Sequence, residues 1–252
     1  MRTLPYDHSP LSRKKQVALM FDRIAARYDL LNHLLSFNVD RYWRGRAVEL
    51  FCEQRPRDIL DVATGTGDFA LAALKARPQR VVGVDLSENM LAVGRRKLER
   101  RALTHLIELK YGDAETLPFG EASFDVVLSG FGVRNFENTA AGIGEMFRVL
   151  RPGGTVVILE FSRPRKAPFR QLYNFYFTRV LPGIGRLISG DPAAYTYLPG
   201  SVGHFPDGED FLALLRTAGF TEAQARPLTL GIATIYSGRK DALSDESTAV
   251  SQ

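Results

Sequence analysis

The stretch Asp61-Val62-Ala63-Thr64-Gly65-Thr66-Gly67-Asp68 decides the fold. It follows the short apolar run Ile59-Leu60. A second apolar run, Arg80-Val81-Val82-Gly83-Val84, ends in Asp85, 18 residues past Gly67. The order is strand, glycine turn, helix, strand, acid. Glycine permits the left-handed backbone of such a turn and lets a ligand approach it, and an acid ending the second strand accepts ribose hydroxyls. Two glycines also occur in ordinary strand-to-helix turns; the acid at this distance is what points to a nucleoside cofactor.

A dinucleotide site reads G-x-G-x-x-G. Here the helix begins directly after Gly65 and Gly67, and Asp68 places a carboxylate in its first turn. Pyrophosphate needs that helix N-terminus as an open anion site. The acid opposes a phosphate and favours a nucleoside with net positive charge. S-adenosylmethionine meets these demands; NAD meets them poorly.

Working outward, strands are expected at 58–63, 80–85, 105–111, 124–130 and 154–161. Helices alternate with them at 66–77, 87–101 and 136–150. The second is capped by Ser87 and has Leu91, Gly94 and Leu98 on one face. This alternation predicts an α/β fold with a doubly wound, mostly parallel sheet and its ligand at the strands' carboxyl ends. Upstream, Val17, Phe21, Ile24, Tyr28, Leu31 and Leu35 form a helical stripe. A break at Ser36-Phe37-Asn38 precedes a helix near 40–54. Downstream, a helix at 207–218 leads into strands near 221–226 and 229–238. The expected division is an N-terminal arm and helices over 1–57, a core domain over 58–240 and a disordered tail over 241–252.

Residues 162–206 interrupt the rhythm. They hold Phe169, Tyr173, Phe175, Tyr176 and Phe177 among Arg163, Arg165, Lys166, Arg170 and Arg179, then Tyr195-Thr196-Tyr197-Leu198 and His204-Phe205-Pro206. This segment is read as an aromatic lid over an apolar substrate. Its cations suit anionic headgroups.

The whole chain narrows the class. At 252 residues, 45% hydrophobic and 24% charged, it has the composition of a globular protein. The lone Cys52 excludes an intrachain disulfide framework, and four scattered histidines show no metal-ligand spacing. No apolar stretch approaches the roughly 20 residues needed to span a bilayer. A cytoplasmic protein is expected, peripheral at most to the inner face of a membrane. A net charge of +5 is compatible with nucleic acid or an anionic membrane surface, or with neither.

Further residues fall at strand ends. Asp113, in Gly112-Asp113-Ala114, can accept from an adenine amino group, and an adjacent N–H can meet a ring nitrogen. Gly130 and Gly132 let the backbone of Ser129-Gly130-Phe131-Gly132-Val133-Arg134-Asn135 approach a ligand, with Arg134 at the rim of the reaction centre. Arg151-Pro152-Gly153-Gly154 reads as a helix stop and turn, structural rather than chemical.

These segments resemble the class I S-adenosylmethionine-dependent methyltransferases. Within them, Tyr28-Asp29-Leu30-Leu31-Asn32 with Ser36 and Trp43, and Arg148 to Gly154 continuing to Glu160-Phe161-Ser162, resemble the quinone-ring C-methyltransferases of menaquinone and ubiquinone synthesis. FGVRN at 131–135 and Tyr197-Leu198 with Ser201 share the likeness, which covers about 16 to 240. It implies cofactor contacts at Thr66, Asp85, Asp113 and Ala114, and Asp61, Gly65, Gly67, Leu86 and the backbone of Gly130 are expected beside them. Arg134, as a cation near a phenol that must ionise, and Asn135, orienting the ring, are the expected catalytic residues, with no metal. The expected acceptor is demethylmenaquinol, a polyprenyl quinol. The methoxy-benzoquinol of the ubiquinone route, or another phenolic acceptor, is the alternative. The Leu30–Leu35 stretch and the His-Phe-Pro turn look like menaquinone-making members. The chain departs from the family at three places: Asp40 stands where histidine is frequent, Ala63 replaces the first loop glycine, and Gly130 replaces a frequent serine. A nucleic-acid methyltransferase is disfavoured by dispersed basic residues, a non-catalytic binding subunit by the intact glycine turn and Asp85, and a dehydrogenase by glycine spacing.

Overall fold

The computed structural model describes residues 3–6, 9–36, 38–176, 179 and 192–242; of 31–35 and 192–196 it describes the backbone alone. Five strands run parallel: β1 (Asp58–Val62), β2 (Arg80–Asp85), β3 (Ile107–Tyr111), β4 (Phe124–Gly130) and β5 (Leu150–Phe161). β6 (Thr221–Leu228) and β7 (Ala233–Arg239) form an antiparallel hairpin whose β7 edge pairs antiparallel with β5. The sheet order is β3-β2-β1-β4-β5-β7-β6. The chain leaves β1 in one direction and resumes at β4 in the other, so the switch point lies between those strands, where a doubly wound sheet opens its ligand crevice.

Strand side chains alternate between two faces, and each face has its own core. Leu60, Val62, Val127, Val156 and Ile158 pack against α5 (Thr139–Val149) and α8 (Glu209–Thr217). Ile59, Val126, Leu128 and Val157 pack with α2 (Val39–Val48), α3 (Asp68–Ala73) and α4 (Glu88–Arg100). That is why β1 and β4 read as continuous apolar runs rather than alternating ones. α1 (Arg13–Leu35) packs along α4. Its Asp22 carboxylate accepts from the Ser87 hydroxyl at 2.5 Å and the Asn89 N–H at 3.2 Å, the amide of the first turn of α4. α6 (Phe169–Phe175) and α7 (Pro192–His204) lie in the segment read as a lid.

Element ends shift by a few residues from expectation throughout, and at three places the local structure itself differs. α3 ends at Ala73 and continues as a 3₁₀ turn to Ala76, with Arg77 left-handed before Pro78. The second helix stops at Val48, and Cys52–Gln54 is a separate 3₁₀ turn. β5 starts at Leu150, so the expected turn at 151–154 is a bulge inside a strand. The register jumps from Phe124↔Leu150 to Val126↔Thr155, and the Arg151 guanidinium bridges Asp125 and Asp58 at 2.7 and 3.0 Å. Of the expected tail, 243–252 lies outside the described residues. No described helix is long and apolar enough to cross a membrane.

Candidate active site

A cleft opens at the carboxyl ends of β1, β2, β3 and β4. Its floor is the loop after β1, where Ala63 and Gly65 have φ of 56° and 57°. The alanine in place of a loop glycine therefore still adopts the left-handed turn. Asp85 is partly buried at the end of β2, and its two oxygens accept from the Gly65 and Ser87 N–H groups at 2.8 and 2.9 Å. Burial pushes this carboxyl above its ordinary range, against the hydrogen bonds from Ser87, Gly65 and Leu86. Leu86, Gly112, Asp113, Ala114, Gly130 and Asn135 also line the cleft.

α1 forms the opposite side through Lys14, Val17, Ala18, Phe21 and Tyr28. Lys14 bridges Asp113 and Glu115 at 2.7 and 2.9 Å. Desolvation works against its ammonium, but the two carboxylates outweigh it and raise its pKa. Among the described residues the lining holds four carboxylates (Asp85, Asp113, Glu115 and Glu137) and one cation, Lys14. This charge balance suits a net-positive nucleoside and opposes a phosphate. Asp68, expected to supply that selectivity, is instead paired with Lys97 at 2.7 Å and is not part of the lining.

A second cavity, about 450 Å³ and largely apolar, lies beside the cleft. Phe21, Tyr28 and Phe131 belong to both linings. Trp43, Phe131 and Phe161 form an aromatic cluster with ring centroids 4.5 to 6.1 Å apart. Trp43 is fixed by its indole N–H, which donates to Thr229 Oγ1 at 2.7 Å. Tyr173, Tyr176, Tyr197, Phe169 and Leu172 bring α6 and α7 to the wall. Among the described residues, three charged side chains reach it: Asp40, Arg44 and Arg134.

Arg134 sits in the 3₁₀ turn after β4 and is a buried wall residue rather than a rim residue. Its Nη1 donates to Glu160 Oε1 at 2.8 Å and to the Phe131 carbonyl, and its own N–H reaches Glu160 Oε2 at 3.2 Å. Glu160 is 0% exposed. Arg134 Nε is a buried donor with no acceptor among the described residues. Asn135, by contrast, lines the cofactor cleft. Its Oδ1 accepts from the Tyr197 hydroxyl at 3.1 Å, and Arg13 donates to the carbonyls of Arg134, Asn135 and Phe136 and to Tyr197.

Not every expected contact reaches the cleft. Asp61 is fully buried beneath the loop, where its Oδ2 accepts from Thr64 Oγ1 at 2.6 Å and the Ala70 N–H at 3.0 Å. Burial raises its pKa from 3.8 to about 7, despite those bonds and the nearby Arg44. The Thr66 hydroxyl donates to Asp29 at 2.5 Å and accepts from Lys97 at 3.1 Å, and Gly67 caps α3; neither residue is in the lining. At Gly130 a Cβ would lie 2.8 Å from the Phe69 ring, so serine there requires Phe69 to move. Tyr28, read chiefly as core, stands between the two cavities and stacks edge-on with Phe21. Phe205, of the His-Phe-Pro turn, is buried against Phe211, away from either cavity. The side chains of 31–35, Tyr195 and Phe177 lie outside the described residues.

The sheet order, the loop after β1 and the acid ending β2 define the class I S-adenosylmethionine-dependent methyltransferase fold. A Thermotoga maritima structure described as a SAM-dependent methyltransferase, possible histamine N-methyltransferase, has a TM-score of 0.62 at 19% identity. It matches 88% of this chain and 99% of that one. The model of the ubiE/COQ5 methyltransferase family matches residues 10–240, and the chain belongs to that family. It is 43% identical over 237 residues to a Bacteroides fragilis protein named demethylmenaquinone methyltransferase, covering 94% of this chain and 96% of that one. It is 49% identical over 223 residues to a Geobacter sulfurreducens protein named ubiquinone/menaquinone biosynthesis C-methyltransferase UbiE, covering 88% and 87%. The chain is a methyltransferase.

Proposed function

We propose that the protein transfers the methyl group of S-adenosylmethionine to a ring carbon of a reduced polyprenyl quinol, with demethylmenaquinol the preferred acceptor. The observation that carries this reading is the pair of cavities of opposite character sharing Phe21, Tyr28 and Phe131 as a common wall. A polar, carboxylate-lined cleft suits the nucleoside, and an aromatic cavity suits a prenylated ring. The name of the Bacteroides relative favours the naphthoquinol; that of the Geobacter relative keeps the methoxy-benzoquinol as the second acceptor to test.

Asp85 would hold the ribose hydroxyls, with Gly65 and Leu86 against the sugar, and Asp113 and Ala114 would meet the adenine edge. Lys14 must then share Asp113 with the adenine amino group. Bound S-adenosylmethionine supplies an electrophilic methyl group on its sulfonium. The acceptor's phenolic hydroxyl must ionise, its proton passing to water, to make its ring carbon nucleophilic, and phenols titrate near pH ~10. As the new C–C bond forms, the sulfonium C–S bond would break to leave a neutral thioether. The methylated carbon would then give its own proton to water to restore the aromatic ring. A cation in a dry cavity favours the phenolate. Arg134 supplies that cation: its charge is fixed by Glu160, and its buried Nε–H is satisfied when a substrate oxygen accepts from it. A guanidinium stays protonated, so Arg134 stabilises the phenolate and does not act as the base. Asn135, held by Tyr197, orients the ring at the seam between the cavities.

The same reading places α6 on a bilayer surface. Leu172 is 65% exposed and Phe169 42%, and both line the cavity. Phe175 is 58% exposed, and Lys166 and Arg170 are exposed beside them. Each cation near an anionic leaflet contributes about 1 kcal/mol. Arg163 and Arg165 are partly drawn to Asp207.

The test is methyl transfer from isotopically labelled S-adenosylmethionine to reduced short-chain demethylmenaquinol and to the matched methoxy-benzoquinol, in detergent. Label on the naphthoquinol ring carbon is the expected result. Label on neither ring, with the cofactor bound, contradicts the reading.

A further inference from the structure

The wall of the acceptor cavity carries a second ion pair that the phenolate chemistry above does not use. Asp40 and Arg44 lie one turn apart on α2 and are 4% and 8% exposed. The Arg44 guanidinium donates to Asp40 Oδ2, and the Ser36 hydroxyl donates to Oδ1 at 2.6 Å. All three residues line the cavity. Like Arg134–Glu160, the pair lies against the aromatic cluster. Arg44 stands 5.8 Å from the Phe131 centroid and Arg134 5.4 Å from that of Phe161, and the two rings are 4.5 Å apart. A desolvated ion pair in an apolar wall is a poor source of stability, because well-packed apolar residues serve at least as well. A substrate with two oxygens on opposite sides of a ring gives it a use.

We propose that Asp40, oriented by Arg44 and Ser36, accepts a hydrogen bond from the acceptor's second hydroxyl, the one para to the hydroxyl that ionises at Arg134. The site thereby reads a 1,4-dihydroxy ring rather than a single phenol. A carboxylate offers about four acceptor positions, enough to hold Ser36, Arg44 and a substrate hydroxyl together. The second hydroxyl stays protonated and donates; only the first gives up its proton. Histidine at this position should preserve the function, since a neutral imidazole also presents an acceptor.

This inference rests on the quinol reading, and its test separates the two. Two acceptors are compared: short-chain demethylmenaquinol and its monomethyl ether blocked at the hydroxyl remote from the methylated carbon. The native protein should show a lower kcat/KM on the ether. Asp40→Leu combined with Arg44→Met, which leaves no charge of the pair stranded, should lower kcat/KM on the quinol roughly ten- to hundredfold, the scale of a hydrogen bond to a charged group, and change the ether rate far less. Asp40→His should recover most of the quinol rate. S-adenosylmethionine binding by calorimetry reports that each variant is folded; if the double variant fails it, Asp40→Ala with Arg44→Met should still show a loss confined to the quinol. A proportional loss on both acceptors, or no preference in the native protein, overturns the proposal. Methylation of neither acceptor by native protein with cofactor bound fails the quinol reading itself.

Discussion

The two cavities of this protein are built in opposite ways. The cofactor cleft is assembled from four strand ends and their following loops, and much of it is backbone. The acceptor cavity has almost no sheet in it. Its wall comes from α1, α2, α6, α7, the turn after β4 and the loop before β7, segments up to about two hundred residues apart in the chain. A cleft made by topology recurs wherever the sheet recurs, whereas a cavity made by added helices belongs to the particular substrate.

The largest effect should come from the cleft. Asp85→Ala should weaken S-adenosylmethionine binding by about a hundredfold or more, since it removes a carboxylate that accepts two loop N–H bonds and would accept the ribose. The melting temperature should fall by several degrees, because two loop N–H groups lose their acceptor, with the fold retained. Tight binding by that variant in calorimetry would break the assignment of the cleft. Across the shared wall, Arg134→Lys should lower turnover roughly ten- to hundredfold while cofactor affinity stays within about twofold. The lysine keeps a charge beside buried Glu160, which Arg134→Ala would strand at a stability cost of about 3–5 kcal/mol. Loss of cofactor affinity in parallel with turnover would erase the distinction between the cavities.

A smaller effect is expected at the mouth. Phe175→Asp, at an exposed position on α6 outside the cavity lining, should raise the apparent KM several-fold for quinol presented in anionic vesicles and leave the detergent assay unchanged. Equal effects in both assays would remove the bilayer from the account.

Asp61 sharpens the comparison through pH. Its carboxyl is held protonated up to about pH 7, well above its value in the unfolded chain. The folded state therefore binds the extra proton between about pH 4 and 7. Stability from this group is complete below that window and is lost as pH rises through 7. The melting temperature of Asp61→Asn should gain on that of the native protein between pH 5 and 8; parallel curves would contradict the shift. Smallest of all, Lys14→Met should tighten S-adenosylmethionine binding a few-fold by freeing Asp113, and weaker binding would mean that Lys14 serves the ligand rather than competing with it.

The contrast also explains what could be read in the chain. The strands, the doubly wound sheet and Asp85 were legible because periodicity and a glycine turn are local signals. Asp113 was legible as an acid at a strand end. Thr66 was quoted as a cofactor contact, but its hydroxyl is committed to Asp29 and Lys97, which come from α1 and α4. Asp40 was noted only as a departure from the family, and its pairing with Arg44 went unread for a physical reason: an acid and a base four apart on a helix are ordinarily a solvated pair, whereas tertiary packing buries this one. Their position flanking Trp43, a large aromatic on a short polar helix, was the available hint. Glu160 was quoted only as part of a resembling segment. Its partnership with Arg134 depends on β4 and β5 lying side by side.

The most direct measurement is a crystal structure with S-adenosylhomocysteine and a short-chain demethylmenaquinol. The account predicts the nucleoside against Asp85 and Asp113, and the ring in the aromatic cavity with one oxygen at Arg134. A ring bound outside that cavity, or a nucleoside away from Asp85, would contradict it.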